Sequence, residues 1–158
     1  MGTEEAEKAD KEGKQHEDSG DSKLKTAKDK ESTWTKADVK AKALEAESEF
    51  EKAAKEYEKA GDEYAKDGDW FSAAGEYQKA ADAYKKAADV KELDTVDMKG
   101  DKTQKEDIRK IIDELKKKRE IYKKGRKDSL AEGVDEKIED YYKKYPWLKE
   151  GDGEKKKD

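Results

Sequence analysis

Large aromatic residues recur through the middle of the chain at a step of seven: Phe50, Tyr57 and Tyr64, then Trp70, Tyr77 and Tyr84, with alanine pairs between them. A step of seven, filled at plus three or plus four by small residues, keeps every ring on one face of a helix. Residues 50–88 therefore predict two helices, each with an inward aromatic stripe. Asp67-Gly68-Asp69 separates them. Gly68 supplies the left-handed conformation that ends one helix, and Asp69 caps the next. The stripes also share letters, since EYEKAGDEYAK at 56–66 and EYQKAADAYKK at 76–86 carry Glu, Tyr, Lys, Ala, Asp, Tyr and Lys in register. The pattern predicts a helical hairpin.

The first of these helices is expected to run over 36–66, opened by the hydroxyls of Ser32-Thr33-Trp34-Thr35, which suit an N-cap. Gly61 inside it either bends the helix or lets its partner come close. The second is expected over 70–90. Residues 91–102 break the pattern and read as a connection. Thr103 and Glu106 then have the spacing of a capping box, starting a third helix with Ile108, Ile111, Ile112, Leu115 and Tyr122 on one face and Gly125 as its C-cap. Ser129 with Glu132 offers a second box, opening a fourth helix with Leu130, Val134, Ile138, Tyr141, Tyr142 and Tyr145. Pro146 ends it, and Trp147 and Leu148 are placed to close the core.

Residues 1–32 and 149–158 lack periodic apolar positions, so they are read as a disordered charged arm and a disordered tail. The expectation is an all-α domain over 33–148, its four helices arranged as stacked hairpins or as a four-helix bundle. Its expected core is Phe50, Tyr57, Tyr64, Trp70, Tyr77, Tyr84, Ile108, Ile111, Leu115 and Tyr122.

The stretch GDWFSAAGEYQKAADAYKKA, preceded by EFEKAAKEYEKAGDEYAKD, resembles the repeat of soluble NSF attachment proteins and, more broadly, of tetratricopeptide-like helical hairpins. The resemblance covers residues 45–90. It implies a hairpin fold and a surface that binds other proteins without catalytic residues. Vesicle-fusion activity is implied less strongly, because those proteins are much longer and end in an acidic, leucine-containing tail that has no counterpart here.

Composition sharpens this picture in two respects. Charged residues make up 51% of the chain and the hydrophobic set 31%, so the core must be thin and built on rings. Cysteine is absent, which removes disulfides, thiolate metal sites and thiol nucleophiles. With no apolar run of signal or membrane-spanning type, a cytoplasmic location is expected.

The net charge of −5 hides a local basic run, Lys116, Lys117, Lys118, Arg119, Lys123, Lys124, Arg126 and Lys127, broken among acids only by Glu120. Such a run suits phosphates or an acidic partner. It equally suits a solvated helix face whose cations favour the helix C-terminus. Phe71, beside Trp70 and off the stripe, is a further candidate partner contact.

Other chemistry is thin. Asp97–Glu106 has the glycine and final glutamate of a calcium loop, but Thr95 and Lys99 fall on ligand positions. His16 lies in the arm with no orienting partner, and no apolar segment encloses an Asp or Glu that general acid–base work would need. There is no phosphate-cradling glycine loop and no nucleophile motif. The chain is thus expected to be a non-catalytic adaptor or scaffold with no metal or cofactor, docking a partner helix or peptide. The alternatives are a basic-helix binder of nucleic acid or anionic membrane, and a hydrophilic stress-protective protein.

Overall fold

A computed structural model describes residues 2–149, and every regular element among them is helical. The order is α1 (Gly2–Asp29), α2 (Lys36–Lys66), α3 (Trp70–Glu92), α4 (Lys102–Lys124) and α5 (Asp128–Lys144), followed by a short helical turn at 147–149. Each long helix packs on its neighbour in sequence: α1 on α2, α2 on α3, α3 on α4 and α4 on α5.

The helix starts follow local chemistry. The Thr35 hydroxyl accepts the amide of Asp38 at 3.1 Å, and Asp69 Oδ1 accepts that of Ser72 at 3.1 Å, each satisfying a donor that the first turn leaves free. Gly68 adopts φ +76°, as the turn between α2 and α3 requires. The two capping boxes do not form. Asp101 caps α4 instead, accepting the Gln104 amide at 2.9 Å, while the Thr103 hydroxyl donates to Asp101. The α5 helix starts one residue earlier than Ser129, with no side-chain cap.

The larger correction concerns the N-terminal arm. Residues 2–29, expected to be disordered, form α1, so the array has five long helices rather than four. Its buried face consists of Ala6, Ala9, Gly13, Gly20 and Ala27, which carries almost no hydrophobic signal. The apolar material comes from α2. A Cβ on Gly13 would lie 2.8 Å from a ring carbon of Tyr57, and one on Gly20 2.6 Å from Phe50. The α2 rings therefore seat against the α1 backbone, where only glycine leaves room. The expected tail, from residue 150 onward, lies outside the described residues.

The same device recurs at the next step, where Tyr77 of α3 sits on Gly61 of α2. Close approach, one of the two roles open to Gly61, is what the structure uses. Phe50, Tyr57, Tyr77, Tyr84, Ile108, Ile111 and Leu115 are buried, whereas Tyr64, Trp70 and Tyr122 are partly buried against the core. The rings are covered in turn by lysines of the following helix. Lys79 and Lys86 of α3 lie over Tyr57 and Phe50 of α2, and Lys110 and Lys117 of α4 over Tyr84 and Tyr77 of α3, at 5.5–5.7 Å from the ring centres.

Candidate interaction surface

The predicted contact residues divide into those the fold has already paired and those it leaves free. Lys117 bonds Glu58 at 2.7 Å and lies 3.8 Å from Asp62, both on α2. Arg119 reaches Asp135 of α5 at 2.9 Å, Lys123 approaches Glu120 at 3.8 Å, and Lys118 donates to Gln78 of α3. Burial holds the Lys118 ammonium below its usual range. Three of the eight basic residues, Lys117, Lys118 and Arg119, thus form an internal seam joining α4 to α2, α3 and α5. Lys116 is half-buried beside it.

The free part lies at one end of the array. Trp70, at the head of α3, rests on Gly125, whose Cβ position would be 3.1 Å from the indole. That contact brings the start of α3 against the α4–α5 turn. Phe71, the next residue, is 79% exposed, and Leu130, in the first turn of α5, is 47% exposed. The turn carries Lys124, Arg126 and Lys127, all exposed and without an ion pair among the described residues. Arg126 holds φ +58°, an uncommon conformation for a residue with a side chain. A shallow hollow of about 300 Å³ opens beside them, with Tyr77 and Ile121 as its floor and Lys116, Lys117, Glu120 and Lys124 as its rim. An apolar anchor with an acidic flank fits such a surface.

The interior holds polar groups that the sequence reading excluded. Lys91, only 3% exposed, places its ammonium 2.7 Å from Asp107, 3.1 Å from Glu47 and 3.8 Å from Glu51, and donates to the Thr103 carbonyl. The acids' oxygens lie within 4.8 Å of one another, a spacing that suits a cation, and the lysine supplies one. Burial and the neighbouring carboxylate push Glu47 and Asp107 up. Burial also opposes ionisation of Glu51, but its bonds to Glu47 and Asp107 and the Lys91 charge hold it low. Gln104, buried beside them, donates to the Ala88 carbonyl at 3.1 Å.

Two further buried acids pair across helices: Glu76 of α3 with Asp10 of α1, and Glu114 of α4 with Glu58 of α2. Burial first, then the partner carboxylate, raises Glu76 to about 7 and Glu114 to about 10. Hence the chain does enclose carboxyls, through packing between helices rather than within an apolar segment. His16 is corrected as well: its Nδ1 lies 2.8 Å from Glu49 of α2. In the former calcium-loop candidate, Asp101 is occupied as a cap and Glu106 is exposed, 3.5 Å from Lys110.

No family model matches the chain, and no curated protein or solved structure matches it either. No helix among the described residues is long and apolar enough to cross a membrane.

Proposed function

We propose that the protein is a non-catalytic interaction module, an array of helical hairpins stacked in chain order, that docks an acidic partner helix or peptide at the α3 head and α4–α5 turn. The observation that carries this reading is Phe71. Its ring stands 79% exposed while its neighbour Trp70 is anchored, so the phenyl is presented on a fixed support rather than on a loose loop. Exposed aromatics on rigid elements are the usual anchors of protein interfaces. Lys124, Arg126 and Lys127 beside it have no acid partner among the described residues, and would steer and orient an acidic partner.

Packing in strict sequence order favours stacked hairpins over a closed bundle, in keeping with the tetratricopeptide-like pattern of residues 45–90. The nucleic-acid reading is weakened because Lys117, Arg119 and Lys123 already face carboxylates, which leaves few cations to displace counterions.

A photo-crosslinking residue at position 71, with one on the exposed α1 position Lys25 as control, tests the proposal in native extract. The expected result is a discrete adduct from position 71 alone, lost when Lys124, Arg126 and Lys127 are changed to glutamate. Equal labelling from both positions, or an adduct indifferent to the charge reversal, would overturn the assignment of this surface.

A further inference from the structure

One arrangement occurs twice with the same parts. Glu76 and Lys79 of α3, three residues apart, face Asp10 of α1; Glu114 and Lys117 of α4, three residues apart, face Glu58 of α2. In both, the lysine bonds the partner acid, at 2.8 Å for Lys79 to Asp10 and 2.7 Å for Lys117 to Glu58. In both, the glutamate is almost sealed off, 6% exposed at Glu76 and 2% at Glu114. Each glutamate also leaves one buried oxygen, Oε1, with no hydrogen-bond partner. Lys79 also reaches the other oxygen of Glu76, at 3.2 Å, but a buried carboxylate with one oxygen left bare, beside a second carboxylate, is disfavoured. The neutral acid is the form that fits, because its hydroxyl can donate to the partner and its carbonyl oxygen carries little charge.

We propose that the helix stack is fastened by shared protons, one between Glu76 and Asp10 and one between Glu114 and Glu58, and that removing them loosens α1 from α3 and α2 from α4. The proton resides on Glu76 and Glu114, and Asp10 and Glu58 accept. Around Glu76 the other charged or titratable groups are Lys79 on α3, Tyr57 and Tyr64 on α2, and Lys14 across Asp10 on α1. Around Glu114 they are Lys117 and Lys110 on α4, Asp62 on α2, and Tyr77 and Tyr84 on α3.

The direction of the pH response follows. A carboxyl raised in the fold holds a proton that the unfolded chain releases above its ordinary value, so stability falls as pH rises through that interval. For Glu76 the interval runs from 4.5 to about 7, and for Glu114 from 4.5 to about 10. The opposite contribution of the lowered acids Asp10 and Glu58 is complete once pH passes their ordinary range, and the raised lysines Lys79 and Lys117 lose theirs only above about 10.4. Between these limits the shared protons act, together with those of the Lys91 cluster and of Glu56, which burial and Glu12 of α1 push up.

Urea unfolding of the full chain, followed by circular dichroism at steps from pH 5.5 to 8.5, tests this. The unfolding constant of the wild type is expected to rise with pH, by about tenfold per unit for each proton held. Glu76→Gln, whose amide donates at every pH, should remove about 30-fold of that rise between pH 5.5 and 8.5. Glu114→Gln should remove more, and Glu132→Gln, on the exposed face of α5, none. Amide exchange of α1 in the wild type gives an independent reading, with protection expected to drop between pH 6 and 8.5 after correction for intrinsic rates. A wild type whose stability and α1 protection do not change with pH, or glutamine variants that keep the wild-type slope, overturns the proposal.

Discussion

Glycine-to-alanine substitutions at matched helical sites test the packing of α1 most directly. Gly20 and Gly75 both lie inside helices, so alanine gains about 1 kcal/mol of helix propensity at either. The sites differ in what the new methyl meets. At Gly75 nothing lies within 4 Å, and the position is exposed. At Gly20 the methyl would stand 2.6, 2.8 and 3.1 Å from three ring carbons of Phe50, a side chain with 0% exposure that would have to shift. Overpacking of that kind costs about 1–3 kcal/mol, which cancels or outweighs the propensity gain. The expected outcome is that Gly75→Ala stabilises by about 0.5–1 kcal/mol, while Gly20→Ala is neutral to destabilising by about 2 kcal/mol. For a chain of this size each kcal/mol moves the melting temperature by about 2–4 °C. Thermal melts by circular dichroism at one pH and salt concentration would separate the two variants by several degrees. Gly133→Ala, also with nothing within 4 Å, should behave like Gly75→Ala, and Gly61→Ala, 2.7 Å from the Tyr77 ring, like Gly20→Ala. If Gly20→Ala raises the melting temperature as much as Gly75→Ala, the Phe50 ring is not seated on α1 and the docking of that helix is refuted.

Lys91→Met leaves three buried or half-buried carboxyls without their cation, and should cost about 3–5 kcal/mol in urea unfolding; a loss below about 1 kcal/mol would mean that the cluster is solvated. Asp69→Ala removes the oxygen that accepts the Ser72 amide and should cost about 1 kcal/mol. Phe71→Ala should leave the melting curve within about 0.5 kcal/mol of wild type, since the ring is mostly in water; a larger loss would make Phe71 part of the core.

The α2–α3 hairpin was legible because its rings repeat at seven with alanine between them, a pattern that a helix alone satisfies. The α1 helix was not, although it carries the complement of that pattern. Ala6, Gly13, Gly20 and Ala27 also step by seven, matching the step of Phe50, Tyr57 and Tyr64. Small residues score as neutral on a hydropathy scale, and two glycines count against a helix by propensity. Only the paired spacing shows that they receive rings. The Thr103 capping box failed because Asp101, two residues earlier, caps the helix through the Gln104 amide, which leaves Thr103 inside the first turn. Of the candidate surface, the presence of Phe71 and of the basic run could be read from the letters. Which cations were already spoken for could not, because Glu58 and Asp135 come from other helices. Buried carboxyls such as Glu114 are hidden in the same way, since their burial is a property of the packed stack.

A common rule underlies these features and accounts for a folded chain with so much charge. A small residue on one helix receives a ring from the next, and a lysine from the helix after that lies over the ring and reaches back to an acid. Gly13, Tyr57, Lys79 and Asp10 form one such unit, and Gly20, Phe50, Lys86 and Glu17 another. Gly61, Tyr77, Lys117 and Glu58 repeat it one helix later. The lysine stems cover apolar surface that a thin core leaves open, while their ammonium groups tie together helices that are not neighbours in sequence. Each unit is weak where it meets water, because exposed ion pairs contribute only about 0–1 kcal/mol. The array therefore relies on repetition, and on the sites where the acid is sealed from solvent. Those sites, Glu76 and Glu114, occur in two of the three units, which is why the array should respond to protons along its length rather than at one switch.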